Sequence, residues 1–481
     1  MEITRRDAIK LGLAVGVLGG VSGVLLKAAE SPETKSEGAL SIVSVPSICG
    51  MCMAQCAIWV DVVNGKPVRI RPNTSAPTSA IGICARGVSG TFSTWLNPDA
   101  IKKPMARRAL VDWVQGKISW EDAKRQLAQN RGKYDDMVEI DWNTAVEIIA
   151  KKLKELADNN ERHAFTFLFG AWGPTASMRA AVPIGRFADT FGGGQITFDN
   201  PYCTYPRYLG HWLTWGHGHQ AHTVCVDYGE ADAILVVRRN VIGAGVVTET
   251  WRFMEAVKRG VKIVVLSPVF DETASYATVW LPVKPGTDIA VLNAFIKYIL
   301  DNRYYVEPYL IRFTNAPFLI KTTDGLPLLA SEVAWDKYGV AEPREFAYVV
   351  WDGNAPALDT TARSPALFGE YEVQLKDGTT VKVKTALQIL KEWVDANLAA
   401  LARKHGVADY MEAVAREADV DVNKLREAAE IVAKYRAVAP IGWHDPRYSN
   451  SPQVWRAVGI IMALLGRIEQ PGGVFLLTHL V

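Results

Sequence analysis

The chain has 481 residues, 49% apolar and 22% charged, with 38 glycines and 24 prolines. That composition excludes disorder, collagen-like repeats and coiled coil, and the length is ample for a multi-domain globular protein. The 53 basic and 51 acidic side chains leave a net charge of +2, which argues against a nucleic-acid binder working by bulk electrostatics. Six cysteines are too few for a disulfide scaffold of this size, and four of them, at positions 49, 52, 56 and 84, fall within 36 residues. That is the spacing of a site rather than of scattered core thiols.

The first 30 residues have the form of an export signal. Thr4-Arg5-Arg6-Asp7-Ala8-Ile9-Lys10 precedes an uncharged, Gly-rich apolar run of 16 residues, 11–26, short of the roughly 20 that a spanning helix needs. The paired arginines resemble a twin-arginine translocation signal, with Ala8 where that signal usually has Phe. A membrane anchor is the alternative, because Ala28-Ala29 is only a weak cleavage site. Residues 31–40 are polar and turn-rich and read as a linker. The folded part should begin near residue 40 and work in the periplasm or at the outer face of the cytoplasmic membrane.

Residues 41–106 hold the cysteine pattern C-x2-C-x3-C-x27-C, formed by Cys49, Cys52, Cys56 and Cys84. A short loop of this kind can wrap a [4Fe-4S] cubane while a distant fourth thiolate closes the site. Zinc is one alternative, although structural zinc more often shows two short-spaced pairs; disulfides are the other, since export leads to an oxidising compartment. Apolar stretches 58–63 and 68–70 flank Asn64-Gly65, a dipeptide that favours a tight hairpin, so the cysteines should sit on a small β-rich module. Arg86, two residues past Cys84, puts a cation beside the cluster or against an anionic neighbour, unless it is an ordinary surface arginine.

Residues 160–302 alternate strand-like segments (165–169, 233–237, 262–266 and 279–283) with helical ones such as 247–258 and 288–302. This pattern predicts a doubly wound α/β unit, which binds ligands beyond the carboxyl ends of its strands. The loops there carry Arg239-Asn240, Ser267-Pro268 with Asp271 and Thr273, and Lys284-Pro285-Gly286-Thr287-Asp288. Asp288 also suits a simple helix cap. The segment Asp199-Asn200-Pro201-Tyr202-Cys203-Thr204-Tyr205-Pro206-Arg207 reads as an irregular loop, so Cys203 is a poor candidate for the core. Cys225 lies instead in an apolar, strand-like run, as a buried inert thiol would. Four of the eight histidines, at 211, 217, 219 and 222, follow within twelve residues, and Gly442-Trp443-His444-Asp445-Pro446-Arg447-Tyr448 gathers further polar groups. Each histidine taken singly equally suits a structural hydrogen bond.

Together these residues resemble the catalytic subunits of the molybdopterin oxidoreductase, or dimethyl sulfoxide reductase, superfamily. Asp141-Trp142-Asn143-Thr144-Ala145, Pro285-Gly286-Thr287-Asp288, and Leu464-Leu465-Gly466 followed by Pro471-Gly472-Gly473 are similar to its landmarks and stand in its order. The resemblance implies a [4Fe-4S] domain over 41–106, a dinucleotide-binding-like α/β domain over 160–302, and a second α/β domain made of 107–159 and 303–481. It implies a molybdenum or tungsten bis(pyranopterin guanine dinucleotide), with Cys203 as the protein ligand to the metal. The nucleotide would be held by Arg86, Asn240, Ser267, Asp271, Thr273, Gly286 and Thr287, with Asp288 reading guanine. Arg207, His444 and Arg447 would bind an anionic substrate and supply protons. Arg238 stands where the family often has Gly.

In overall look the segments around Tyr202-Cys203-Thr204 and Trp443-His444 are closest to reductases of thiosulfate, tetrathionate or polysulfide. Arsenate or selenate is the next reading of the substrate. A pterin-free iron-sulfur electron-transfer subunit is a third reading, against which Cys203 and the Gly286-Thr287-Asp288 motif weigh. The resemblance also implies a quinol-oxidising membrane anchor and an iron-sulfur partner subunit. Family members usually continue past Pro471-Gly472-Gly473 into a barrel-like C-terminal domain, so this domain is expected either on a separate polypeptide or lost by truncation.

Overall fold

The computed structural model describes residues 42–52, 54–90, 96–169, 177–198, 205–216, 224–341, 343, 346–440 and 450–476. The chain enters through three antiparallel strands, β1 (Ile42–Ile48), β2 (Ala57–Val63) and β3 (Lys66–Pro72), in the order β1-β2-β3. Asn64 and Gly65 turn β2 into β3 with φ of +49° and +77°, the two positive angles of the expected hairpin. Next comes α1 (Ala85–Gly90), a short helix beginning one residue after Cys84. A small helical cluster follows, with α2 (Arg108–Val114), α3 (Trp120–Gln129) and α4 (Trp142–Asp158) gathered around Ala109, Trp113 and Ala123. Asp141 caps α4, its carboxylate accepting from the Thr144 amide at 2.7 Å.

The first predicted strand of the α/β unit is β4 (Thr166–Phe169). It pairs in parallel with β5 (Gln195–Phe198), across α5 (Ser177–Phe191). Among the described residues this pair forms a separate two-stranded sheet and does not join the strands at 233–281. Periodicity identifies a strand but not its neighbour, so the sequence could not show this division.

After α6 (Tyr205–Trp215) and β6 (Val224–Val226) comes the main sheet. β7 (Ala233–Val237), α7 (Val247–Lys258), β8 (Lys262–Leu266) and β9 (Val279–Leu281) make a parallel unit of order β9-β8-β7. Val438 extends it beyond β7 by a parallel bridge to Ile234. All five residues of β7 are buried, as expected for a parallel strand covered on both faces.

Helix α8 (Asp288–Asp301) buries Val291, Leu292, Phe295, Ile296 and Ile299, the apolar face legible in its sequence. The helices α9 (Ala386–His405), α10 (Tyr410–Ala418), α11 (Val422–Lys434) and α12 (Ser451–Leu464) belong to the same core. Strands at Leu319–Lys321, Glu370–Gln374 and Thr380–Thr385 surround a second core centred on Trp335. The strand β10 (Val474–Leu476) returns to pair antiparallel with β6. Helix α6 lies so close to α12 that a Cβ on Gly210 would stand 2.5 Å from Trp455 Cβ and 2.6 Å from the Pro452 carbonyl. Among the described residues no helix is long and apolar enough to cross a membrane.

Candidate functional site

The hairpin and α1 bring the four motif cysteines together. The Cys49 amide donates to the Cys56 carbonyl at 2.8 Å, which closes the short loop on itself. Helix α1 packs against that loop, since a Cβ on Gly87 would lie 3.4 Å from Cys49 Sγ. Cys49 and Cys56 are buried, and Ile58 packs with them. Burial, and then the neighbouring thiols of Cys49, Cys52 and Cys84, push the Cys56 thiol above its ordinary range. A bound cation would favour the thiolate form of such a cysteine. Among the described residues no three His, Cys, Asp or Glu side chains close on a single ion. The short loop with a distant fourth cysteine suits a cluster, whose thiolates bind separate irons.

Within the module's sheet lies a group that the sequence did not announce. Asp61 on β2 is buried, and accepts from Arg69 at 2.7 Å, Arg71 at 2.8 Å and Ser44 at 2.7 Å. Asp61 stands opposite Arg69 in the ladder. Two arginines at i and i+2, facing one aspartate across a hairpin turn, were the available signal. Hydrogen bonding from Arg71 first, then from Ser44 and Arg69, holds the Asp61 carboxyl well below the usual carboxylate range against the opposing effect of burial.

Arg86 leaves the cysteine module and reaches the α/β unit, donating to the Gly243 carbonyl at 2.9 Å and the Gly245 carbonyl at 3.4 Å. These carbonyls belong to the loop after β7, at the carboxyl end of the parallel sheet where such folds take ligands. The cysteine module and that end of the sheet are thus adjoining.

The other two loops converge at the same end. The Arg238 amide donates to the Leu266 carbonyl at 2.8 Å, and the Ser267 amide to the Leu281 carbonyl at 3.1 Å. Most polar side chains expected to hold a nucleotide are engaged in building these loops. Asn240 accepts from the Gly243 amide at 2.7 Å and from the Thr273 hydroxyl at 3.1 Å, and donates to Glu272. Asp271 accepts from the amides of Thr273 and Ala274, each at 3.0 Å. Ser267 accepts from the Val269 amide at 3.2 Å, and Thr287 donates to the Lys284 carbonyl at 2.7 Å. Gly286, at φ +93°, has open space where a side chain would stand, so the backbone there is free for close approach.

Arg207 is buried on α6, its guanidinium 5.3 Å from the Tyr208 ring. One turn on, His211 is buried against Trp215 and Trp455, with ring centroids 4.3 and 5.5 Å away; it packs the α6–α12 contact. Cys203, His217, His219, His222, His444 and Arg447 lie outside the described residues, as do Arg5 and Arg6. Cys225 lies in β6, which pairs with β10.

A four-thiol module docked at the ligand end of a parallel α/β sheet defines an iron-sulfur α/β redox protein. The molybdopterin oxidoreductase family model matches residues 101–481, and the molybdopterin oxidoreductase Fe4S4 domain model matches residues 42–94. The chain belongs to the molybdopterin oxidoreductase family, which supports a pterin-bound molybdenum or tungsten and a [4Fe-4S] cluster.

A Halobacterium salinarum protein described as a dimethyl sulfoxide reductase catalytic subunit is 27% identical over 405 residues, covering 82% of this chain and 45% of that protein. A sulfite dehydrogenase subunit of Allochromatium vinosum is 24% identical over 467 residues, 92% of this chain and 44% of its own. The molybdopterin-containing subunit of thiosulfate reductase from Salmonella typhimurium is 28% identical over 323 residues, 66% and 37% respectively. Formate dehydrogenase subunits also occur among the relatives. The chain spans less than half the length of the dimethyl sulfoxide reductase, sulfite dehydrogenase and thiosulfate reductase relatives.

Proposed function

We propose that the chain is the metal-pterin subunit of an exported reductase that carries out a two-electron reduction of a sulfur oxyanion or polysulfide, of the thiosulfate or tetrathionate class. The observation that carries this reading is the Arg86 bridge, which sets the four-cysteine module against the carboxyl end of the parallel sheet. Relatives named for thiosulfate, sulfite and dimethyl sulfoxide support the substrate class. When bound, the cluster supplies single electrons, and molybdenum or tungsten supplies a two-electron change between its +6 and +4 states.

The chain's own residues then have distinct tasks. Cys49, Cys52, Cys56 and Cys84 hold the irons, and Cys203 holds the molybdenum or tungsten. Arg86 holds the two units in register and places a positive charge between them. Arg207 and Arg447 neutralise the substrate anion, and His444 donates a proton to the departing sulfur. With thiosulfate as substrate, two electrons and two protons are consumed, the S–S bond breaks, and sulfite and hydrogen sulfide leave. The electrons come from a quinol through a membrane anchor and an iron-sulfur partner subunit. Export follows the twin-arginine route, so Arg5→Lys with Arg6→Lys retains the loaded protein in the cytoplasm.

The test is oxidation of reduced viologen by the reconstituted complex with thiosulfate, tetrathionate, polysulfide, arsenate and selenate. Turnover with a sulfur substrate is expected. Turnover with arsenate or selenate alone reassigns the substrate, and none in metal-loaded protein points to an electron-transfer subunit.

A further inference from the structure

The resemblance assigns Asp288 to reading the guanine base, and the geometry at that position does not fit. Asp288 opens α8 and its side chain has no accessible surface, whereas 14% of the Arg238 side chain remains accessible. Arg238 Nε donates to Asp288 Oδ1 at 2.7 Å, and its Nη2 to the Lys284 carbonyl at 3.4 Å. What remains accessible of this pair belongs to Arg238 and not to Asp288. For the N–H edge of guanine to reach Asp288, a buried ion pair would have to be broken, and such pairs are strongly destabilised when one partner is left alone.

Arg238 also sits at φ +52°, a left-handed conformation that a residue with a Cβ adopts only at an energetic cost. It stands at the turn just after β7, its amide held by the Leu266 carbonyl at 2.8 Å. The turn shape is that of a glycine, with a long cation added at the end of the sheet where ligands enter. The charged neighbours divide by sign. Lys284 is exposed on the adjoining loop, Arg239 is paired with Glu249, and Glu272 is exposed and held by Asn240.

We propose that Asp288 is a positioning residue for Arg238, and that Arg238 binds a phosphate of the pterin dinucleotide, so that this subsite selects the cofactor by charge and not by the guanine edge. This rests on the reading that a pterin dinucleotide lies beyond the sheet. Guanidinium and phosphate form charge-assisted, two-pronged hydrogen bonds, and a buried carboxylate behind the guanidinium fixes its orientation.

The test is equilibrium binding of GMP and AMP to the full-length, cofactor-free chain, with far-UV circular dichroism to confirm folding. GMP and AMP should bind within about threefold of each other, Arg238→Met should weaken both by about tenfold or more, and Arg238→Lys should recover part of the loss. Asp288→Asn should weaken both nucleotides together. A preference for GMP of about tenfold or more that disappears in Asp288→Asn but survives in Arg238→Met would overturn the proposal. Failure of either nucleotide to bind the folded chain would overturn it as well. The molybdenum content of the holoprotein tests the cofactor reading separately, because it does not depend on discrimination between bases.

Discussion

At the scale of single residues, two buried groups in the cysteine module carry opposite demands. Burial first, and then three neighbouring thiols, raise the proton affinity of Cys56, and iron binding would have to displace that proton. Anaerobic holoprotein should contain about four irons per chain, and Cys56→Ala should fall well below that; zinc alone, or metal-free protein with the cysteines oxidised, would end the cluster assignment.

Asp61 needs its arginines. Its carboxyl is held low chiefly by Arg71, so its stabilisation is complete above the unfolded-state value of about 3.9 and is lost as pH falls through the lower folded value. Arg69 and Arg71 are 55% and 38% exposed, which reduces the worth of these contacts. Asp61→Asn should cost about 1–3 kcal/mol in unfolding of the module at neutral pH. It should also flatten the acid limb of the stability curve below pH of about 4. An unchanged acid limb in thermal melts would remove Asp61 from this role.

At the scale of elements, local signals were legible and long-range partners were not. Asn64-Gly65 announced its hairpin, and the segments 233–237, 247–258 and 262–266 appear with the expected bounds, because turn chemistry and apolar periodicity are local properties. The strand expected over 279–283 ends at Leu281. Segment 165–169 is a strand, but it pairs with Gln195–Phe198. The Arg238–Asp288 pair joins residues 50 apart, and Arg86 reaches a carbonyl 157 residues away. No spacing rule within one sequence reports such contacts.

The α6–α12 contact is another that only the packing shows. Gly210 has no room for a methyl group against Trp455 and Pro452, so Gly210→Ala should destabilise the chain by about 1–3 kcal/mol through overpacking. Denaturant melts with an unchanged midpoint would show that α6 can shift away from α12 at little cost.

At the scale of the whole molecule, the cysteine module and the parallel sheet meet through Arg86. Under the proposed function, a module that passes one electron at a time adjoins a site that uses two. The small iron-sulfur module has its own apolar cluster around Cys49, Cys56 and Ile58, distinct from the large core that joins the parallel sheet to α8–α12. Arg86 links them at the ligand end of the sheet. The cysteine spacing revealed the first part and the strand-helix alternation the second, but their contact required the folded chain.

The most direct measurement is the low-temperature paramagnetic signal of the dithionite-reduced cluster in metal-loaded holoprotein, followed after addition of thiosulfate or tetrathionate. The signal should decay as the cluster is reoxidised, and the decay should be lost in Cys203→Ala protein that keeps its iron. A signal that persists with every sulfur substrate, in protein shown to hold molybdenum or tungsten, would contradict a sulfur reductase fed through this cluster.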